Sequence, residues 1–173
     1  SMHAVGIRAE DIVVVQLPNI VELPSVILAL AKLGAIVSPV PVQYGVHELS
    51  KISEALNASA FISVRNFKGE DLFSKNRNAF KTELALTIAS PNDNQDLSNF
   101  FPTSAQRIAC HDYLSSLSLT ANDLLTICWT SGTTGTPKGV PRSHNHWISI
   151  ATSVRDLASI RDGDAFLNPF PMV

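Results

Sequence analysis

The stretch from residue 124 to 140 reads LLTICWTSGTTGTPKGV and joins an apolar run to a glycine-hinged loop. The run 124–129 has the length and residue types of a buried strand. In the loop, Gly132 and Gly135 permit positive φ and a close approach of the backbone to a ligand. Lys138 then adds one flexible positive charge. This pattern predicts a polyphosphate site, in which backbone N–H groups form an anion nest and the lysine offsets the remaining charge.

Hydroxyl groups are unusually dense in this loop, and they are neutral donors that can surround anionic oxygens. They belong to Thr130, Ser131, Thr133, Thr134 and Thr136. A Walker A loop requires Ser or Thr directly after its lysine, whereas Gly139 follows Lys138. The glycine spacing also differs from that of the dinucleotide-binding fingerprint. On composition alone, a solvated Ser/Thr/Gly linker is the plain alternative.

Short apolar runs alternate with amphipathic segments along the chain. Strands are predicted at 12–17, 35–38, 61–64, 84–88, 124–129 and 165–167. Residues 138–142 are predicted to be extended, because Val140 precedes a proline. Helices are predicted at 19–33, 47–56, 70–80 and from His144 onward, with Ser143 as the N-cap. Residues 90–105 are rich in Asn, Asp, Ser and Pro and are predicted to form a long loop. The alternation indicates an α/β fold with a mostly parallel sheet and covering helices.

Composition narrows the classes of partner. With 173 residues the chain can form one domain with its own core. A net charge of −2 and 16% charged residues provide no basic surface for nucleic acid. The apolar run 23–42 is interrupted by Lys32 and Gly34 and ends at Pro39 and Pro41. No stable membrane span of the required ~20 residues is therefore predicted.

Cysteine usage indicates a reducing compartment. Cys110 and Cys128 form no CxxC pair, and we interpret both as reduced thiols, with Cys128 in a buried strand. No targeting signal is visible. These features favour a cytoplasmic location.

Other polar residues are weaker candidates for a site. His144 and His146 are two positions apart and point away from each other on a helix, so no metal site is predicted. The pair 111–112, His-Asp, is interpreted as the exposed start of a helix. Residues 162–164, Asp-Gly-Asp, are interpreted as a turn rather than a cation site. No serine has a base positioned by sequence, so no Ser/His/Asp nucleophile is predicted.

The stretch 129–140 resembles the phosphate-loop signature of the adenylate-forming (AMP-binding) enzymes. This superfamily includes acyl-CoA synthetases, aryl-AMP ligases and the adenylation domains of peptide synthetases. Trp129 occupies the aromatic position of the signature and His144 the histidine that follows it, with no mismatch between them. Residues 11–39 resemble the first strand, helix and strand of the family. Residues 168–173 resemble the start of its next motif.

The resemblance implies a two-step reaction. A carboxylic acid, of a fatty or cyclic type, attacks the α-phosphate of ATP bound with Mg2+, and the acyl group then passes to CoA as co-substrate. Lys138 is the implied catalytic residue, and His144 is implied to pack near the loop. The implied phosphate-binding residues are Thr130, Ser131, Gly132, Thr133, Thr134, Gly135 and Lys138.

The resemblance also implies how the chain is organised. Residues 1–2 are interpreted as an expression scar, and residues 3–173 as part of an N-terminal AMP-binding domain that lacks the C-terminal domain and later motifs. The missing remainder of its own chain is then an expected partner, and the isolated fragment is expected to be inactive.

Two other functions stay open. The segment 140–144 is also similar to aryl-AMP ligases that load carrier proteins, as peptide-synthetase adenylation domains do. A non-catalytic nucleotide-binding or interaction module is the alternative of a different class. The acid and the oligomeric state cannot be read from this sequence.

Overall fold

The computed structural model describes residues 2–88, 102–130, 137–165, 167 and 172. Eight strands lie within this part of the chain: β1 (Ile12–Gln16), β2 (Ile36–Pro39), β3 (Ala60–Val64), β4 (Asn66–Phe67), β5 (Glu70–Asp71), β6 (Ala85–Ile88), β7 (Leu124–Thr130) and β8 (Lys138–Ser143). The α-helices of the same part are α1 (Glu22–Lys32), α2 (Val46–Leu56), α3 (Leu72–Asn76), α4 (Ser104–Ser116) and α5 (His144–Leu157). Short 3-10 turns lie at His3–Val5 and Arg77–Ala79.

Six strands form one sheet in the order β6-β3-β1-β2-β7-β8, and β4 pairs with β5 in a separate hairpin. Within the large sheet, β6, β3, β1, β2 and β7 are parallel to their neighbours, and only β8 runs antiparallel. The predicted α/β fold with a mostly parallel sheet and covering helices is therefore confirmed.

The β-branched run of β1 forms the centre of the sheet. Val13, Val14 and Val15 are fully buried because helices cover both faces. On one face, Val13 and Val15 pack with Leu23 and Leu30 of α1. The opposite face contains a second cluster, whose members are Val14, Val40, Leu49, Ile52, Phe61, Ala79 and Phe80.

Helix α1 ends at a glycine for a steric reason. Gly34 has φ +73, a left-handed value that glycine adopts without strain. A Cβ at this position would lie 2.9 Å from Leu119 Cδ2 and 3.1 Å from Ala9 Cβ. The Leu33 N–H and the Gly34 N–H bond back to the last turn of α1, so the chain can turn directly into β2.

Two predicted segments require correction. The predicted helix 70–80 is divided into β5, the short α3 and a 3-10 turn, because the Asp71 side chain accepts a 2.8 Å bond from the Ser74 N–H and starts α3 there. The predicted loop 90–105 lies largely outside the described residues, but its last two residues belong to α4. The 111–112 pair is exposed as expected, yet it lies in the middle of α4 rather than at a helix start.

Further along the chain, residues 162–163 form a turn in which Gly163 has φ +91 and the Arg161 N–H donates to Asp164 Oδ2 over 2.8 Å. Residues 165 and 167 belong to no strand, so the predicted strand there is wrong at both of its described positions. Across the described ranges, no helix has the length and apolar character needed to cross a membrane.

Candidate phosphate-binding site

The glycine-rich segment connects two predicted strands, and the structure shows that these strands are adjacent and antiparallel. Strand β7 leads into it and β8 leads out, with Cys128 opposite Val140 and Thr130 opposite Lys138. Residues 131–136 lie outside the described residues, so the predicted phosphate ligands among them (Ser131, Gly132, Thr133, Thr134 and Gly135) have no described geometry. The end of β7 at Thr130 and the start of β8 at Lys138 therefore mark the two ends of the predicted site.

Thr130 and Lys138 are paired across these ends. Both are exposed, and the Thr130 hydroxyl donates to the Lys138 carbonyl oxygen over 3.5 Å. Paired residues of an antiparallel ladder project from the same face of the sheet. No carboxylate of the described residues lies within ion-pair distance of the Lys138 ammonium. The cation is therefore available to an anionic ligand, and the Thr130 hydroxyl becomes a donor to such a ligand once it turns away from the Lys138 carbonyl oxygen.

Trp129 supports this hairpin from the opposite face of the sheet. Its Nε1 donates a 2.8 Å hydrogen bond to the hydroxyl of the fully buried Ser38 in β2. Its ring lies against Gly139, which faces it in the ladder. The aromatic position of the motif thus anchors the strand ends rather than presenting a group beside Thr130 and Lys138.

His144 lies at the other end of the hairpin. Ser143 caps α5 as predicted, accepting a 3.3 Å bond from the His146 N–H. The His144 N–H lies 3.4 Å from the carbonyl oxygen of Asp123, at the start of β7. Because β8 separates His144 from Lys138, the two residues are about 20 Å apart by the rise of an extended strand. His144 thus lies at the opposite end of β8 from the described loop ends, and its expected place near the loop stays a prediction.

On the face of the sheet opposite Trp129, a small apolar cavity of about 230 Å³ lies between α1, β2, β7 and α5. It is lined by Ile27, Pro39, Leu125, Thr126, Cys128, Trp147 and Met172. Trp147 Nε1 donates a 2.9 Å bond to the Thr126 hydroxyl at its wall, and the Arg142 guanidinium lies 5.2 Å from the Trp147 ring centre. These contacts hold the start of α5 against the hairpin.

Helix α5 carries exposed apolar side chains, those of Trp147, Val154 and Leu157. Cys128 lies in β7 as predicted but is only partly buried, and both cysteines are free thiols.

A carboxylate beside the base of the hairpin is electrostatically stabilised. The Thr120 N–H, at 2.7 Å, lowers the pKa of Asp123, and the Thr120 hydroxyl and the nearby His144 act in the same direction. The described part of the chain contains no group of three or more His, Cys, Asp or Glu side chains able to hold a metal ion.

A buried polar cluster at the ends of β1 and α3 was not predicted from sequence. Gln16 Nε2 donates to the carbonyl oxygens of Pro41 and Tyr44, and Gln16 Oε1 accepts a 2.8 Å bond from Asn76 Nδ2. Gln16 and Asn76 are both buried. One feature of the sequence could have indicated this cluster, namely a glutamine directly after the run of four apolar residues in β1. This cluster fixes the loop that follows β2.

Comparison with known proteins identifies the family. The model of the AMP-binding enzyme family matches residues 1–173. The chain belongs to the AMP-binding enzymes. This finding confirms the resemblance seen in the motif.

Relatives and solved structures agree with this assignment. The chain is 30% identical to a crotonobetaine/carnitine–CoA ligase of Escherichia coli, over 98% of this chain and 32% of that protein. It is 26% identical to a 2-succinylbenzoate–CoA ligase of Oceanobacillus iheyensis, over 99% of this chain and 32% of that protein. The fold matches MbtA of Mycobacterium smegmatis with a TM-score of 0.74 at 21% identity, covering 94% of this chain and 30% of that one. This chain thus corresponds to part of such enzymes, spanning 25–35% of the length of the first curated relatives it matches.

Proposed function

We propose that the natural protein carrying this chain is an ATP-dependent acid–thiol ligase. It activates a carboxylic acid as an acyl-adenylate, with release of pyrophosphate, and transfers the acyl group to CoA. The observation that carries this proposal is the family match over the whole chain, joined to an unbroken motif between Thr130 and Lys138. Relatives named as CoA ligases favour CoA as the acceptor.

Within this proposal, residues 3–173 belong to an N-terminal catalytic region. The hydroxyls and backbone N–H groups of 130–135 bind the β- and γ-phosphates of ATP. Lys138, which is exposed and has no ion-pair partner among the described carboxylates, binds the same phosphates and stabilises the charge that develops as pyrophosphate leaves. Such preorganised donors act on the transition state because their geometry is set before the reaction.

The donor set of the described strand ends fits phosphate oxygens, since it consists of a hydroxyl and an ammonium group. Mg2+ bound with ATP neutralises phosphate charge. We propose that it enters with the nucleotide, which agrees with the absence of a metal-ligand cluster in the described part of this chain. We further propose a cytoplasmic site of action, supported by the unpaired state of Cys110 and Cys128.

A second function within the family is transfer of the acyl group to a carrier protein instead of CoA. It is favoured by the segment 140–144, VPRSH, which follows the loop. A non-catalytic nucleotide-binding module is the remaining possibility, because the loop's hydroxyls and lysine suit binding as well as catalysis.

The test is ATP–pyrophosphate exchange by the natural protein with fatty, cyclic, aryl and amino acids, while CoA consumption is followed in parallel. We expect exchange with a fatty or cyclic acid together with loss of free CoA. Exchange without CoA loss would assign the acyl group to a carrier protein. Absence of exchange with every acid class would overturn the proposed ligase and leave a binding module.

A further inference from the structure

One backbone hydrogen-bond donor is missing from the ladder between β2 and β7, close to the point where β7 leads into the motif loop. Ile36 and Val40 donate their N–H groups to β1, at 2.8 and 3.0 Å. N–H groups alternate in direction along a strand, so residues 37 and 39 are directed towards β7. Residue 39 is a proline and has no N–H. Beyond the register pair of Val37 with Thr126, β2 therefore cannot donate a backbone hydrogen bond to β7 at the level of Pro39.

A side chain supplies a connection between the two strands. Trp129, near the end of β7, donates from Nε1 to Ser38 Oγ over 2.8 Å. Ser38 is fully buried, in a strand whose neighbouring residues Val37 and Pro39 are also buried. If the indole moved away, the buried Ser38 hydroxyl would lose this donor, and its desolvation would no longer be compensated. The bond therefore favours the one position of the indole that makes it.

The same indole also contacts the returning strand. Carbon atoms of its six-membered ring, Cη2 and Cζ3, lie 3.4 and 3.5 Å from the position of a Cβ at Gly139. Trp129 thus extends from β2 across β7 to β8. On β7, Trp129 lies one residue before Thr130. On β8, its contact Gly139 lies one residue after Lys138.

We propose that Ser38 is a positioning residue for the two strand ends that flank the motif loop. Its hydroxyl holds the Trp129 indole, and the indole in turn holds the strand ends that carry Thr130 and Lys138. This inference rests on the proposed function, because the positioned groups are those assigned to the phosphates of ATP. Small displacements of such groups reduce catalysis strongly, since the transition state depends on their orientation.

The test compares Ser38→Ala, Trp129→Phe and the double variant in ATP–pyrophosphate exchange by the natural protein, well below the melting temperature of each. Each single variant should lower kcat roughly threefold to thirtyfold, in line with a displaced catalytic donor. The KM for the acid should stay within about twofold. The double variant should be no more than about twofold worse than the poorer single one, because both remove the same bond. Ser38→Cys, nearly isosteric but a weaker acceptor, should fall between wild type and Ser38→Ala.

Ser63→Ala is the matched control. Ser63 is a second fully buried serine of the sheet, and its hydroxyl has no partner among the described residues. Its kcat should remain within about twofold of wild type. If the wild type is active and kcat is unchanged in Ser38→Ala and Trp129→Phe, the positioning role is overturned but the proposed function is not. Fully multiplicative effects on kcat in the double variant would have the same meaning. An inactive wild type would instead overturn the proposed function itself.

Discussion

Gly139 lies directly across the β7–β8 ladder from Trp129, and the indole lies at contact distance from the place that a Cβ at 139 would take. A Cβ on Gly139 would lie 2.9 Å from Ile127 Cγ2 and 3.4 Å from Trp129 Cη2. Gly139 belongs to the motif, yet its described role is steric. It allows an aromatic residue to cover the hairpin beside the loop.

Gly139→Ala should therefore destabilise this chain by about 1–3 kcal/mol, the usual cost of overpacking a close contact. Urea denaturation followed by circular dichroism measures the effect. The neighbouring Lys138→Ala is the control for stability, because Lys138 is exposed and its loss should change the free energy of unfolding by about 0.5 kcal/mol or less. Equal stability of Gly139→Ala and wild type would show that the Ile127 methyl group moves away without cost.

Lys138→Ala, which should barely change stability, should instead impair catalysis in the natural protein. We expect the rate of adenylate formation to fall by roughly one to three orders of magnitude, as for the loss of one oriented electrostatic donor. ATP–pyrophosphate exchange measures this rate. Lys51→Ala, which removes an exposed lysine from α2, should leave the rate unchanged. An unaltered rate in Lys138→Ala would remove this lysine from the catalytic assignment.

Asn76→Ala should destabilise the chain by about 1–3 kcal/mol, because it leaves the buried Gln16 Oε1 without its 2.8 Å donor. The midpoint of urea unfolding should shift without a change in slope. Asn78→Ala is the matched control, since Asn78 is exposed two residues away. If the two variants had the same stability, the Gln16–Asn76 bond would contribute nothing measurable.

Asp71 provides a pH-dependent prediction. The Ser74 N–H lowers the pKa of this carboxyl below its usual 3.8, and the Ser74 hydroxyl and Arg65 act in the same direction. A lowered pKa in the folded state stabilises the fold above pH 3.8, and this contribution disappears as the pH falls through the folded-state pKa. Asp71→Asn should thus be less stable than wild type at pH 6, with the difference shrinking below about pH 4. Urea unfolding between pH 6 and 2.5 tests this.

Glu83→Gln is the control for the loss of one charge, because Glu83 is exposed and has no hydrogen bond to a helix start in the described structure. Its stability relative to wild type should vary less with pH than that of Asp71→Asn. A constant difference between Asp71→Asn and wild type over the whole pH range would contradict the assigned cap.

Local patterns in the sequence predicted most of the sheet. The strands β1, β2, β3, β6 and β7 were predicted within one or two residues, because each is a short, largely apolar or β-branched run. Strand β8 was predicted as an extended segment because Val140 precedes a proline. Of helix α4, only an exposed start at 111–112 was predicted, several residues too late, since its outer face is polar and it follows a segment rich in Asn, Asp and Ser. Its start nevertheless carries a recognisable capping box, in which Thr103 and Gln106 bond to each other's backbone.

The sequence by itself determined the strand and helix segments and the family, because these depend on local residue types and on one contiguous motif. Tertiary structure alone decided the sheet order and the bond between Ser38 and Trp129. Ser38 and Trp129 are 91 residues apart. Contacts of this kind depend on which strands become neighbours in the sheet, and a local sequence pattern does not specify which strands these are.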